Sequence, residues 1–77
     1  QGQHQQALKQ AKTLVQQFPQ SSFLFNIQGA VLKGLRQLDH SIEAYNKALA
    51  IEPNYAEVLN NMGDALKEQG VYKEPNG

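Results

Sequence analysis

His40 and Glu43 stand three residues apart, a spacing that puts both side chains on one face of a helix, where an imidazole and a carboxylate can share a metal ion. The rest of a metal site is missing. The chain has no cysteine and only one other histidine, His4, which lies in a glutamine-rich stretch expected to face solvent. Ser21 and Ser22 carry hydroxyls, yet both precede an apolar-periodic run, where helix capping accounts for them without a nucleophile. Gly29 and Gly34 fall within or at the end of a helical pattern rather than after a strand, so no phosphate-cradling loop is formed. Tyr45 reads as core, and Tyr55 and Tyr72 as packing at junctions. No convergent set of titratable or nucleophilic groups emerges, and the expectation is a protein that is not an enzyme, with no cofactor and no metal.

The elements that carry these residues come from a short chain. At 77 residues it holds one small domain, which buries roughly 60–65% of the surface its unfolded form exposes. Without cysteine or a metal site, stability must come from the architecture. Seven Lys and Arg balance seven Asp and Glu, which denies the chain the basic field that nucleic-acid binding or a polybasic membrane anchor requires. The longest apolar runs, such as Phe23-Leu24-Phe25, are too short for a membrane span or a signal-peptide core, and the lack of an export signal leans toward the cytoplasm. Eight of eleven glutamines fall in the first twenty residues. Ala7, Leu8, Ala11, Leu14, Val15 and Phe18 interrupt them at helical spacing, so this segment reads as a helix with a polar coat rather than a prion-like tract.

A shift of thirty-four residues brings the chain into register with itself. Pro19 falls on Pro53, Phe25 on Leu59, Asn26 on Asn60, Gly29 on Gly63, Leu32 on Leu66 and Lys33 on Lys67, while Ala7 meets Ser41 and Val15 meets Leu49. The complete unit, Ser22 to Tyr55, splits into two helical patterns. In the first, Leu24, Ile27, Val31 and Leu35 form one apolar stripe and Phe25, Gly29 and Leu32 a second, so that helix is expected to lie between two neighbours. The second starts near Leu38 with Asp39 placed to cap it, buries Leu38, Ile42, Tyr45 and Leu49, and stops at Pro53. Asn54 and Glu57 are spaced as a capping box for a third helix from about Tyr55 to Gln69. Val71 to Glu74 read as the start of another helix, broken by Pro75. Residues 2–18 match the second half of a unit. Gly29 and Gly63 recur at one helical phase, where glycine costs about 1 kcal/mol relative to alanine; close approach of the helix bearing Ala44 or Ala48 is the expected reason.

With Phe25, Gly29, Leu32, Tyr45, Ala48 and Pro53 in one unit, and Leu59, Met62, Gly63 and Leu66 in the next, the chain resembles the tetratricopeptide repeat, a thirty-four-residue helix-turn-helix. Gln28, Ser41 and Leu14 depart from the residue types usual there. The resemblance implies an all-α fold of antiparallel helix-turn-helix repeats, a short right-handed superhelical solenoid of about four helices. Residues 1–19 would be the second helix of an incomplete repeat, 20–54 a complete repeat, and 55–77 the first helix of a further repeat with a C-terminal tail.

The resemblance also implies a function. Family members bind extended or helical peptide segments on a concave surface lined by the first helix of each repeat. Carried onto this sequence, that surface comprises Phe23, Asn26, Ile27, Ala30 and Lys33, then Glu57, Asn60, Asn61, Asp64 and Lys67, half apolar and half polar. A partner protein or peptide would meet Phe23, Ile27 and Ala30 with its side chains and Asn60 or Asn61 with its peptide groups; the competing reading buries Phe23 and Ile27 against the opening helix. Only Asn61 and Lys67 fit a clamp for a C-terminal carboxylate, too few for that mode. Two other readings stand beside this scaffold. One is a homo-oligomer formed through exposed terminal helices, with Leu8, Val15, Leu59 and Leu66 as contacts; the other is a repeat segment of a larger enzyme such as a transferase.

Overall fold

The computed structural model describes residues 2–73, with side chains as far as Gly70. Four helices follow one another: α1 (Gly2–Gln17), α2 (Ser22–Gly34), α3 (Leu38–Ile51) and α4 (Ala56–Lys73). No strand occurs among the described residues. Each helix packs on the next in sequence, and α2 also touches α4. Links of three or four residues leave no room for anything but antiparallel neighbours. The result is a slab of 42 × 32 × 14 Å, about two helices thick.

Sequence sets most helix ends. Ser21 caps α2, its Oγ accepting the Leu24 N–H at 3.3 Å, and the Ser22 hydroxyl donates to Glu52 at the far end of α3 at 2.8 Å. At the other end of α2 the Gln37 N–H reaches the Leu32 carbonyl and the Arg36 N–H the Lys33 carbonyl, a Schellman closure that satisfies two carbonyls left over by the helix. The left-handed residue this closure needs is Arg36, at φ 65°, not a glycine. Asp39 is not the cap of α3. Gln37 holds that position without a side-chain bond, and Asp39, in the first turn, accepts a hydrogen bond from the Gln69 side chain on α4. Asn54 likewise misses its capping role: α4 begins at Ala56, and the Tyr55 carbonyl takes the first helical bond, from Leu59 N–H. The expected break at Gly70 is absent as well. One glycine does not outweigh its helical flanks, and α4 runs on through Val71 and Tyr72 to Lys73; Glu74 and the expected stop at Pro75 lie outside the described residues.

Two apolar clusters hold the helices together. Phe25, Tyr45, Ala48, Val58 and Ala65 form the larger, and Leu8, Leu32 and Ala44 the smaller. Tyr45 and Val58 are wholly buried, which for a side chain the size of Val58 contributes about 1.5–3 kcal/mol. Leu8 is therefore core, at 7% exposure, and not the surface contact that self-association required; it fills the space between Leu32 on α2 and Ala44 on α3. The glutamines of α1 coat its outer side, as the interrupted tract implied.

The helix bearing Ala44 and Ala48 does close on Gly29, as expected, but through a different side chain. A Cβ there would stand 2.5 Å from Cε1 and 2.6 Å from Cδ1 of Tyr45, so the glycine makes a slot for a ring rather than for Ala44 or Ala48. The Ser41 hydroxyl, one turn before Tyr45, donates to the Gly29 carbonyl at 2.7 Å and locks the crossing.

Candidate interaction face

Tyr45 and Ser41 hold the inner side of α2, which fixes what its outer side presents. Phe23, Ile27 and Ala30 recur at four and three residues, hence on one side of the helix. Phe23 is 59% exposed, Ile27 part-buried and Ala30 exposed, so Phe23 is not covered by α1. Beside this strip, α2 and α4 face one another across an open hollow of about 380 Å³, lined by Ala30, Lys33, Gly34, Arg36, Tyr45, Asn61 and Glu68.

Three polar links cross to α4, two from α2 and one from the turn that follows it. The Asn61 side-chain amide donates to Asn26 Oδ1 at 3.1 Å, Lys33 Nζ stands 3.8 Å from Asp64 Oδ2, and Arg36 Nη1 lies 3.0 Å from Glu68 Oε1. Asn26 is 5% exposed, and this bond is what keeps its buried carbonyl partnered. Asn26 is thus a fixed strut under the surface rather than a group free to meet a partner. Each charged pair joins opposite signs, so the hollow is close to neutral. Both pairs are solvent-screened, and each contributes about 0–1 kcal/mol.

Of the remaining residues expected on this surface, Glu57, Asn60, Asp64 and Lys67 are exposed and Asn61 is part-buried. Arg36, Glu68, Gly34 and Tyr45 line the hollow without having been expected there. The opposite signs of Arg36 and Glu68, thirty-two residues apart, were a legible signal for one of these links. Tyr45 forms the floor. Burial pushes its phenol above the usual 10.0, the hydrogen bond with Ser41 opposes this, and the nearby carboxylates of Asp64 and Glu57 add to it.

Elsewhere the chemistry is thin. His40 Nδ1 stands 3.5 Å from Glu43 Oε1 on the exposed side of α3, and no group of three or more His, Cys, Asp or Glu that could hold a metal occurs among the described residues. The His4 ring is exposed but lies across Gly34, where an added Cβ would stand 2.7 Å from it. No described helix is long and apolar enough to cross a membrane.

Residues 35–70 match the family model described as TPR repeat. Among curated proteins, the chain is 30% identical over 63 residues to a peroxisomal targeting signal receptor of Kluyveromyces lactis, a match covering 82% of this chain and 11% of that protein. It is 33% identical over 69 residues to a probable UDP-N-acetylglucosamine–peptide N-acetylglucosaminyltransferase SEC of Arabidopsis thaliana, covering 90% of this chain and 7% of that protein. The chain thus spans a small part of the length of either relative. Repeats of this type mediate protein–protein interaction. Four consecutive helices and a glycine slot filled by the tyrosine of the following helix accompany that match, and residues 35–70 are a repeat of the tetratricopeptide type.

Proposed function

We propose that this chain is a non-catalytic scaffold that binds a peptide or protein segment across α2 and α4, with residues 20–54 as its complete repeat, 1–19 as the second helix of the repeat before and 55–77 as the opening of the repeat after. The observation that carries the reading is Phe23. A large aromatic left 59% exposed, at the end of an apolar strip that runs through Ile27 to Ala30 and into a preformed hollow, is the kind of anchor a peptide side chain covers. Asn60 and Lys67 are exposed on α4, and Asn61 keeps one N–H and its carbonyl for a peptide group after serving Asn26. The hollow is near neutral, so affinity rests on apolar contact and peptide hydrogen bonds and depends weakly on salt. The receptor named among the relatives recognises a targeting signal, which is in keeping with this reading. The match to a transferase favours a second one, in which such a segment docks partners for a larger enzyme, through the same face.

The test is to pan a displayed random-peptide library against the full chain and to measure the selected peptides by fluorescence polarisation. Phe23→Ala and Ile27→Lys are expected to weaken them tenfold or more with unchanged helicity. Peptides that bind both variants as well as the parent put the site elsewhere, and variants that lose their helicity make these positions core.

A further inference from the structure

The charges of this chain are divided along its length. Residues 1–38 carry Lys9, Lys12, Lys33 and Arg36 and no Asp or Glu, whereas all seven carboxylate side chains fall from Asp39 onward. Lys33 and Arg36 are matched by Asp64 and Glu68 of α4. Lys12 is not matched: it makes no ion pair among the described residues. It borders a hollow of about 160 Å³ walled by α1, α2 and α3 together. Lys47 of α3 borders the same hollow, likewise without an ion pair, and its ammonium stands 5.9 Å from the centre of the buried Phe25 ring, drawn in toward α2 by the ring face.

Two amides add to this wall. Gln28, half-buried and one of the departures from the residue types usual in the repeat, makes no side-chain hydrogen bond among the described residues. Gln37 holds the cap position of α3 without using its side chain there. Glu43 is the one carboxylate in the lining, and its Oε1 faces His40 Nδ1 at 3.5 Å. Behind these groups lie Leu32 and Ala44 of the smaller apolar cluster, which screen a charge less than open water does. The hollow is thus rich in N–H donors from three helices and short of anionic acceptors.

We propose that this hollow binds a phosphate monoester, with Lys12 and Lys47 holding its oxygens from α1 and α3 and Gln28 donating from α2. A phosphate suits the site better than a carboxylate. Its three terminal oxygens accept from three walls at once, and its charge of about −1.5 to −2 at neutral pH answers two ammonium groups. Glu43 works against the anion. None of these residues belongs to the peptide groove, so the proposal does not depend on peptide binding there.

The isotope-labelled full chain is titrated near neutral pH and at constant ionic strength with inorganic phosphate, with acetate, and with a short peptide bearing one phosphoserine. Saturable phosphate shifts are expected at the Gln28 and Gln37 side-chain amides and at the His40 and Lys47 backbone, with acetate at least threefold weaker. Lys12→Gln and Lys47→Gln, at exposed positions and with unchanged helicity, are each expected to weaken phosphate at least threefold, and Glu43→Gln to strengthen it at least twofold. Lys67→Gln, on α4 and outside the hollow, is expected to change nothing. A phosphopeptide that binds at these residues tenfold tighter than phosphate gives the source as a modified partner segment; equal or weaker binding gives it as a free phosphate ester. Shifts that do not saturate by tens of millimolar phosphate, acetate binding as tightly as phosphate, or an equal loss in Lys67→Gln would each overturn the proposal.

Discussion

Adding one methyl group at each of two equivalent glycines should move stability in opposite directions. In Gly29→Ala the new carbon would lie 2.5, 2.6 and 2.9 Å from three ring carbons of Tyr45, where unstrained carbon contacts need about 3.5–4.0 Å. The ring is wholly buried, so it moves only by displacing its neighbours or turning into the hollow it floors, and α3 cannot back off without stretching the 2.7 Å bond from Ser41 to the Gly29 carbonyl. Overpacking with loss of that bond costs about 2–4 kcal/mol, and alanine's better helix propensity returns about 1 kcal/mol, for a net loss of about 1–3 kcal/mol. Gly63→Ala meets nothing within 4 Å and keeps only the propensity gain, about 1 kcal/mol. The two variants should therefore differ by about 2–4 kcal/mol. In a domain of this size each kcal/mol moves Tm by about 4–8 °C, so thermal and urea melts followed by circular dichroism resolve the gap. Tyr45→Leu, which removes the ring edge, should recover part of the Gly29→Ala loss in a double-mutant cycle. Equal shifts for the two alanines, or a Gly29→Ala chain that melts at or above the parent, would refute the steric account.

Three other perturbations read separate features. Because folding raises the Tyr45 phenol above its unfolded value, the unfolded chain ionises first; stability holds below about pH 10 and falls as pH rises from there through the folded value, and Tyr45→Phe should remove that part of the fall in urea melts at stepped pH. Arg36→Gly trades a left-handed arginine, strained by about 1 kcal/mol, against an exposed pair with Glu68 that contributes about 0–1 kcal/mol, so its Tm should equal or exceed the parent's; a loss above about 1 kcal/mol would make that pair a true clasp. Asn61→Ala leaves the buried Asn26 carbonyl without its partner and should cost about 1–3 kcal/mol in chemical denaturation, whereas Asn60→Ala, at an exposed position, should cost less than about 0.5 kcal/mol.

The helices and their order were legible because a thirty-four-residue self-match keeps large apolar residues on large and small on small at most core phases, Ala11 against Tyr45 and Leu14 against Ala48 being exceptions. Which residue meets which was less so. The recurrent glycines announced a steric demand, but a one-dimensional pattern does not say whether a missing Cβ admits a whole helix or one ring; the tyrosine answers it because it is the largest side chain on the facing helix at that level. Leu8 shows the same limit, since apolar periodicity marks a stripe without saying whether the chain itself covers it. Exact repeat register pairs Asn26 with Asn60, yet the hydrogen bond goes to Asn61, because contact between α2 and α4 depends on where their surfaces touch and not on equivalence along the chain. Caps failed most often. Ser21 worked as read, whereas Asp39 and Asn54 each stand off the capping position, and their carboxylate and amide were equally compatible with other work.

The two exposed sides of this chain differ in kind, and on α4 Asn60 and Lys67 lie between them. At 100° per residue, Ile27 and Gly29 point about 200° apart, as do Asn61 and Gly63. On the groove side, Phe23, Ile27 and Ala30 offer a shallow apolar strip beside a neutral ladder of side-chain bonds, suited to a segment whose backbone is reachable. On the Gly63 side lie two half-exposed leucines, Leu59 and Leu66, flanked by the exposed polar side chains of Asn60 and Lys67. α2 shows what each side does when it is occupied or free: its glycine side is closed by α3 while its groove side stays open to solvent.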